Sequence, residues 1–570
     1  MGLIMRRRGL NDRTEPGNDK AAKYWIFVFL MANTLKITVF NLLLIGIYSL
    51  PVFLYKASIT FLMVAIIYLM IFSIKSRFPY IIFYTVQTIY ILINLAYFTY
   101  FRSYLHLAQA FILFSESSGA VRDWSILMNP KLLVPFLDLP VAIYIIVIYS
   151  RIIAMTNIKH RVQKWFLVFC SVLLIGAIEI SNYVHHYSIV NIVKASSSTS
   201  ELLVIERYGT FMDSLTDMVI NKNVNNMISK LKYGKPISGK GTITGNSSKS
   251  NFVIIQVESM DSNAVNKQHN GQYVMPFLHS LALQNVYYPY TLSYHEAGGT
   301  SDSEFSTLNS VEPLSDYPSI MINDYAYPNS LLKQLTQNSY STIAFHGDTG
   351  SYYNRNEAYP KMGYQEFFDL IRMGLKQSGW GAPDEAVFNY SGTKLKDEKQ
   401  PFFSYTITMS SHGPFTNVNN YYNNSNYDDV TDQTAKNYMK SMSYVDQALE
   451  DYINYIKANF NNTYVIIWGD HTPDINKSEY KQASFTEADR YFEFVPMIIT
   501  TPDHKKYTED KIAASFLDVA PTIINASGVP FFIHSDGMDL LNRTTVTNQI
   551  PYRGGVFDRS LLFAKVSQIK

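Results

Sequence analysis

Apolar positions follow two regimes along the chain. The first third holds five long apolar runs, at about 24–44, 57–74, 79–100, 132–150 and 165–182. Each is close to the length that crosses a bilayer as a helix, so a five-helix transmembrane bundle is expected. Lys36 interrupts the first run; at mid-membrane it must either snorkel or face the bundle. That run lacks a signal-peptide cleavage pattern and four others follow it, so it reads as a retained anchor. The partly apolar stretch FRSYLHLAQAFILF, within 102–131, is expected to lie at the interface. Beyond residue 183 the pattern changes. Segment 183–232 has mixed polarity, and YGKPISGKGTITGNSSKS (233–250) has the composition of a flexible linker. After it come short apolar runs: FVIIQV (252–257), STIAF (341–345), FFSYTIT (402–408), YVIIW (464–468) and FVPMIIT (494–500). Helical patterns such as 328–337 and 434–458 lie between them. This alternation predicts an α/β domain with a central, mostly parallel sheet, whose site gathers at the carboxyl ends of the strands.

Charge placement orients the bundle. Arg6, Arg7, Arg8, Lys20 and Lys23 precede the first run. Lys75 and Arg77 separate the second and third, and Arg151, Lys159, Arg161 and Lys164 separate the fourth and fifth. The alternate loops are poorer, with Lys56 in one and Arg102, Arg122 and Lys131 in the longer other. The positive-inside rule then places the N-terminus in the cytoplasm and the C-terminal domain outside the cell. The expected organisation is a cytoplasmic basic segment (1–23), a transmembrane domain (24–182), extracellular connecting helices and linker (183–250) and an extracellular catalytic domain (251–570). A net charge of +2 gives no basis for nucleic-acid binding. The single cysteine, Cys170, excludes a framework of intrachain disulfides, so the exported domain must fold through its own core. The 43 tyrosines read as core and membrane-interface residues.

Polar clusters follow the short apolar runs. Glu258 follows the first, His346-Gly347-Asp348 the second, Ser411-His412-Gly413 the third and Gly469-Asp470-His471 the fourth. One such residue after a strand is unremarkable, but four clusters point to one convergent site. Glu258, Asp470 and His471 offer two carboxylates and an imidazole, a set that suits Mn²⁺, Mg²⁺ or Zn²⁺. In GGTSDSEFSTLNS (298–310), Thr300 follows two glycines at the start of an amphipathic run. Alone, it reads as a helix N-cap. The same geometry presents backbone N–H groups to an anion, and a metal-bound threonine hydroxyl can act as a nucleophile. The other clusters tip the reading towards a metal-dependent phosphotransferase with Thr300 as nucleophile. His346 and His412 suit phosphoryl oxygens or proton transfer, and Arg355 carries the donor fork that matches phosphate. A supporting role for His295 and Glu296, close to Thr300 in sequence, stays open.

At this point the chain resembles the lipoteichoic acid synthase family, within the sulfatase and alkaline-phosphatase-like superfamily. The resemblance rests on QVESMDS (256–262), GGTSDSEFSTLNS (298–310), FHGDTGSYYNRNEAYPKMGY (345–364), SHGPF (411–415) and GDHTP (469–473), in family order. LDVAPTIINASGVP (517–530) and GMDLL (537–541) extend it. It implies that Glu258, Thr300, Asp470 and His471 bind Mn²⁺. It implies that Thr300 takes glycerol phosphate from phosphatidylglycerol as a covalent intermediate, with His346, Asp348, Tyr353, Arg355 and His412 on the substrate side. The acceptor would be a glycolipid anchor or a growing polyglycerol-phosphate chain in a Gram-positive cell membrane, with other cell-envelope synthesis proteins as partners.

The chain departs from the family pattern at Tyr353, where tryptophan is usual, at Gly299, where lysine is frequent, and at Gly413, where an aromatic is frequent. These changes bear on head-group and acceptor preference. A lipoteichoic acid primase and an enzyme that decorates another glycan with glycerol phosphate are therefore alternatives. So are a phosphoethanolamine-type transferase, a phosphoester hydrolase and an inactive polymer-binding scaffold.

Overall fold

The structure, a computed structural model, describes residues 16–45, 50–74, 76–101, 130–158, 160–185, 210, 224–242, 249–315, 317–322, 325–487, 490–542 and 546–569. Arg6, Arg7, Arg8, Lys75, Lys159, most of the 102–131 stretch and most of 183–223 lie outside these residues. The chain divides into two compact units, an N-terminal helical one and a C-terminal one that takes in residues 221–570.

The helical unit contains α1 (Pro16–Ile45), α2 (Leu50–Phe72), α3 (Phe78–Phe101), α4 (Leu139–Ile158) and α5 (His160–His185). Among the described residues, four segments are long and apolar enough to cross a membrane: Lys23–Leu43, Phe53–Phe72, Phe78–Ala96 and Pro130–Ile153. The fifth expected span does form a helix, α5, but its apolar part is only Trp165–Ile180. Polar and charged residues at both ends of α5, with Glu179 near its end, shorten the apolar stretch. Lys56, expected in a loop, lies inside α2 and is buried, because that helix starts earlier than its most apolar stretch.

Lys36 faces the bundle. Its Nζ lies 3.0 Å from Asp138 Oδ1, and both side chains are fully buried. Asp138, just before α4, also accepts from Asn33 Nδ2 at 2.6 Å and from the Tyr84 hydroxyl at 2.7 Å. Gln87 exchanges hydrogen bonds with Asn33 and accepts from the Tyr68 hydroxyl. Residues from α1, α2, α3 and the start of α4 thus share one polar knot in an otherwise apolar interior.

The C-terminal unit is built on a mixed sheet. Its main strands are β1 (Asn251–Val257), β2 (Val286–Leu292), β3 (Ser341–His346), β4 (Glu366–Phe368), β5 (Phe402–Ile407), β6 (Thr463–Gly469), β7 (Arg490–Thr500) and β8 (Tyr507–Thr508). Their spatial order is β8–β2–β7–β6–β1–β5–β3–β4. The run from β6 through β1, β5 and β3 to β4 is parallel, whereas β7 is antiparallel to both β6 and β2. All five apolar runs marked in the sequence are strands. β2, β4 and β8 are additional; β4 and β8 are too short for periodicity, and VYYPYTL in β2 carries a proline.

β1 shows why this sequence makes a central strand. Phe252 and Ile254 enter the core on one face, and Val253, Ile255 and Val257 enter the core on the other. A parallel strand buried on both faces reads as a continuous apolar run. The long helix Gln433–Asn459 covers the second face, its N-terminus capped by the Asp432 side chain on the Ala435 N–H. The linker is more ordered than its composition suggests. Residues 235–240 form a strand antiparallel to Pro530–Ser535, since backbone pairing at an edge needs no apolar side chain.

The Lys36–Asp138 pair generates a prediction. Replacing one partner leaves a buried charge unpaired, at a cost of about 3–5 kcal/mol. Lys36→Met alone and Asp138→Leu alone should each lower the thermal stability of the detergent-solubilised protein, read by size-exclusion after heating. The Lys36→Met/Asp138→Leu double variant should recover most of the loss.

Candidate active site

The sheet brings the polar clusters to one edge. Glu258 directly follows β1, Asp470 and His471 directly follow its neighbour β6, and Ser411 and His412 stand beyond β5 on its other side. Contact between the β1 and β6 ends depends on glycine. A Cβ on Gly469 would lie 1.7 Å from the Met260 carbonyl oxygen, so no other residue allows this approach. The buried ends are tied together: Ser259 N donates to Asp470 Oδ1 at 2.7 Å, and Ser411 Oγ donates to the Glu258 carbonyl at 2.6 Å.

Glu258, Asp470 and His471 converge, with one ligand atom from each lying within 4.8 Å of the others. His471 Nε2 is 3.1 Å from Glu258 Oε1. His471 Nδ1 donates to the Thr472 carbonyl at 2.8 Å, which leaves Nε2 directed at the carboxylates. Asp470 Oδ2 is buried without a hydrogen-bond partner. Burial and the adjacent Glu258 carboxylate push Asp470 well above the usual carboxylate range. Burial alone would raise Glu258 too, but His412 and His471 bring it below that range. Two buried carboxylates, an unsatisfied oxygen and an oriented imidazole fit a divalent cation. They do not distinguish among Mn²⁺, Mg²⁺ and Zn²⁺.

Thr300 opens α6 (Thr300–Asn309). It is the first helical residue, not the cap. Gly299 holds the cap position at φ 54°, a left-handed backbone suited to glycine. Thr300 Oγ donates to Glu258 Oε2 at 2.9 Å, which places it against the candidate metal centre. Behind it, Asp302 Oδ2 accepts from the N–H groups of Glu296 and Gly298 at 2.9 and 2.8 Å and so fixes the loop that leads into Thr300. Gln256 Nε2 donates to the Thr300 carbonyl and Trp468 Nε1 to Ser303 Oγ, which pins α6 to the sheet.

The remaining expected residues divide. His412 Nδ1 donates to the Gly413 carbonyl at 2.8 Å, and its ring stacks on Trp380 with centroids 4.5 Å apart. Asp384 holds this turn from below by accepting from the N–H groups of Met409 and Ser410. His346 ends β3, with Nε2 3.4 Å from Arg355 Nη1. Burial and the guanidinium hold the His346 imidazole well below its ordinary range. Arg355 is fully buried. Its fork is spent on Glu304 of α6, which also accepts from the Tyr359 hydroxyl. The guanidinium therefore braces α6 rather than lying open at the surface of the site. Tyr353 has a left-handed backbone (φ 55°) and sends its hydroxyl over Gly299. The Asp348 carboxylate accepts from the next backbone N–H, Thr349, and closes its own turn.

Glu493 and Arg553 carried no sequence signal, whereas His295 and Glu296, marked in the sequence only by their closeness to Thr300, do lie at the site. His295 stacks on His471 with ring centroids 4.4 Å apart, and its Nδ1 lies 3.0 Å from Glu493 Oε2. Glu493 also accepts from the Thr472 hydroxyl, and Arg553 pairs with Glu296 and donates to the His295 carbonyl. Their partners lie up to 258 residues away in sequence.

Comparison with known proteins agrees with this arrangement. Residues 250–529 match the sulfatase family. The chain is 31% identical over 335 residues to a lipoteichoic acid synthase of Staphylococcus saprophyticus, a match covering 55% of this chain and 50% of that protein. It is 28% identical over 407 residues to lipoteichoic acid synthase 2 of Bacillus subtilis, covering 65% and 62%. The chain thus spans about half to just under two thirds of the length of these relatives. The solved lipooligosaccharide phosphoethanolamine transferase A of Neisseria meningitidis, an integral membrane protein, covers 91% of this chain and 98% of its own. Its TM-score of 0.56 at 12% identity is a likeness of fold alone.

The C-terminal unit thus has the fold of the sulfatase and alkaline-phosphatase superfamily, an enzymatic fold able to bind metal. Within that superfamily the chain is homologous to members of the lipoteichoic acid synthase family. It is a multi-pass membrane protein with an extracellular catalytic domain.

Asp470→Asn removes one charged ligand while keeping the side chain's shape. It should lower Mn²⁺ affinity at least ~10-fold, measured by calorimetric titration of the purified protein, and abolish the rise in melting temperature on adding Mn²⁺.

Proposed function

We propose that this protein is a metal-dependent phosphoglycerol transferase that moves glycerol phosphate from phosphatidylglycerol through a covalent intermediate on Thr300. The observation that carries this reading is the Thr300 hydroxyl at a helix N-terminus, bonded to Glu258 beside Asp470 and His471. The names of the relatives, lipoteichoic acid synthases, support the polymer. The acceptor is a glycolipid anchor or a growing polyglycerol-phosphate chain. The N-terminus lies in the cytoplasm, α5 makes a fifth crossing despite its shorter apolar stretch, the catalytic domain begins near residue 251 outside the cell, and 183–250 connects it to the membrane.

Glu258, Asp470, His471 and Thr300 would hold the ion, with Mn²⁺ preferred. A divalent ion there lowers the pKa of a bound hydroxyl and takes up charge on a phosphoryl oxygen. In the first half-reaction Thr300 Oγ bonds to phosphorus and the bond from phosphorus to the diacylglycerol oxygen breaks. The Thr300 proton passes to solvent, and His412 Nε2 gives a proton to the departing diacylglycerol. In the second half, the acceptor alcohol bonds to phosphorus and gives its proton to His412 Nε2, the bond to Thr300 Oγ breaks, and Thr300 takes a proton back from solvent. His346 faces the phosphoryl group on the other side, and Asp348, Tyr353 and Arg355 complete the substrate side, Arg355 by holding α6 and His346. The positive end of the α6 dipole favours the anion there. Tethering the domain to the bilayer raises the local concentration of lipid substrate.

The direct test mixes the detergent-solubilised protein with Mn²⁺ and phosphatidylglycerol and maps adducts by mass spectrometry. Wild type should gain one glycerophosphate on Thr300, and Thr300→Ala or chelator should abolish it. An ethanolamine-phosphate adduct from phosphatidylethanolamine, with none from phosphatidylglycerol, would overturn the donor assignment.

A further inference from the structure

His295 lies beside the site in an arrangement that the proposed chemistry does not use. The residue is held at three points. One face stacks on His471, Nδ1 lies 3.0 Å from the Glu493 carboxylate, and the backbone carbonyl accepts from Arg553 Nη2 at 2.8 Å. Glu493 is 4% exposed in its side chain, and Thr472 also donates to it. A buried carboxylate bonded to two donors is itself only an acceptor. Nδ1 is thus engaged by Glu493, and Nε2 is the ring nitrogen that this contact leaves for another partner.

The His295 side chain remains one-third exposed. Nε2 would stand 3.9 Å from a Cβ built on Gly299, and the Tyr353 hydroxyl 3.3 Å from the same point. Gly299 immediately precedes Thr300. The space that a side chain at 299 would fill is thus floored by backbone and bordered by two polar atoms from separate segments.

We infer that His295, oriented by Glu493, is a head-group specificity residue. Its Nε2 hydrogen-bonds to a hydroxyl of the alcohol carried on the Thr300-bound phosphate. This inference rests on the covalent reading above. It assigns His295 to recognition of a polyol substituent over an alkyl one. A site built to hydrogen-bond a substrate hydroxyl discriminates against an analogue that lacks it.

The test measures the rate of Thr300 labelling by mass spectrometry, using the full chain in detergent with Mn²⁺. It compares phosphatidylglycerol with phosphatidylethanol, whose head group lacks both hydroxyls. In each case the Thr300 Oγ–P bond forms as the lipid P–O bond breaks, and diacylglycerol departs as its alcohol. Wild type should label faster from phosphatidylglycerol. His295→Phe keeps an aromatic ring over His471 and should lose ~10-fold of that preference, chiefly through slower reaction with phosphatidylglycerol. Bound Mn²⁺, measured by elemental analysis, should stay unchanged. Glu493→Gln, which keeps the shape but frees the tautomer, should lose part of the preference. An undiminished preference in a metal-loaded His295→Phe protein would overturn the inference. So would a loss of preference that follows loss of metal in both variants, since His295 would then act only through His471. Labelling of wild type by neither lipid would overturn the covalent reading itself, and this inference with it.

Discussion

Two carboxylates held side by side in a dry site govern this structure. Glu258 and Asp470 sit on neighbouring parallel strands, both buried, with an Asp470 oxygen left without a partner. Buried negative charge is costly unless it is paired or coordinates a cation. The surrounding side chains are arranged accordingly. His471 approaches one carboxylate, the Thr300 hydroxyl donates to it, and Ser259 N–H and His471 N–H satisfy Asp470 Oδ1. A divalent cation would resolve the same conflict more completely and, in the proposed reaction, take up charge on a phosphoryl oxygen.

Reactive groups next to that conflict are held in place by spent interactions. Arg355 and Glu304 form a fully buried fork that fixes α6, whose first residue is Thr300. Asp384 holds the turn that carries His412. Each of these rings has one nitrogen committed to protein, His412 and His471 on backbone carbonyls and His295 on Glu493, which fixes how the ring is turned. Such commitment orients a site before substrate arrives, which lowers the reorganisation needed in the reaction.

The parts of this design that are local in sequence were readable there. A buried strand betrays itself by a short apolar run, and the polar residue after it marks the strand's carboxyl end, so Glu258, His346, His412, Asp470 and His471 stood out. Thr300 stood out by its glycines, although its structural role is the first helical residue and not the cap. What was hidden is what depends on pairing across distance. Glu493 lies within the span of β7 and reads as a strand residue until His295 is placed against it. Arg355 reads as a phosphate ligand until Glu304 claims its fork. Lys36 reads as an embedded cost until Asp138 meets it, because Asp138 borders a helix and looks solvated in sequence. The short apolar core of α5 shows the converse limit, where a run near the bilayer length yields a helix without the full apolar span.

Anomalous diffraction at the manganese absorption edge, from crystals grown with Mn²⁺, bears most directly on the central claim. A single strong peak should lie among the carboxylates of Glu258 and Asp470, His471 Nε2 and Thr300 Oγ, with the Thr300 hydroxyl turned from Glu258 onto the ion. A peak bound by other residues, or none in a fully ordered domain, would contradict the account of these buried carboxylates as the metal centre that activates Thr300.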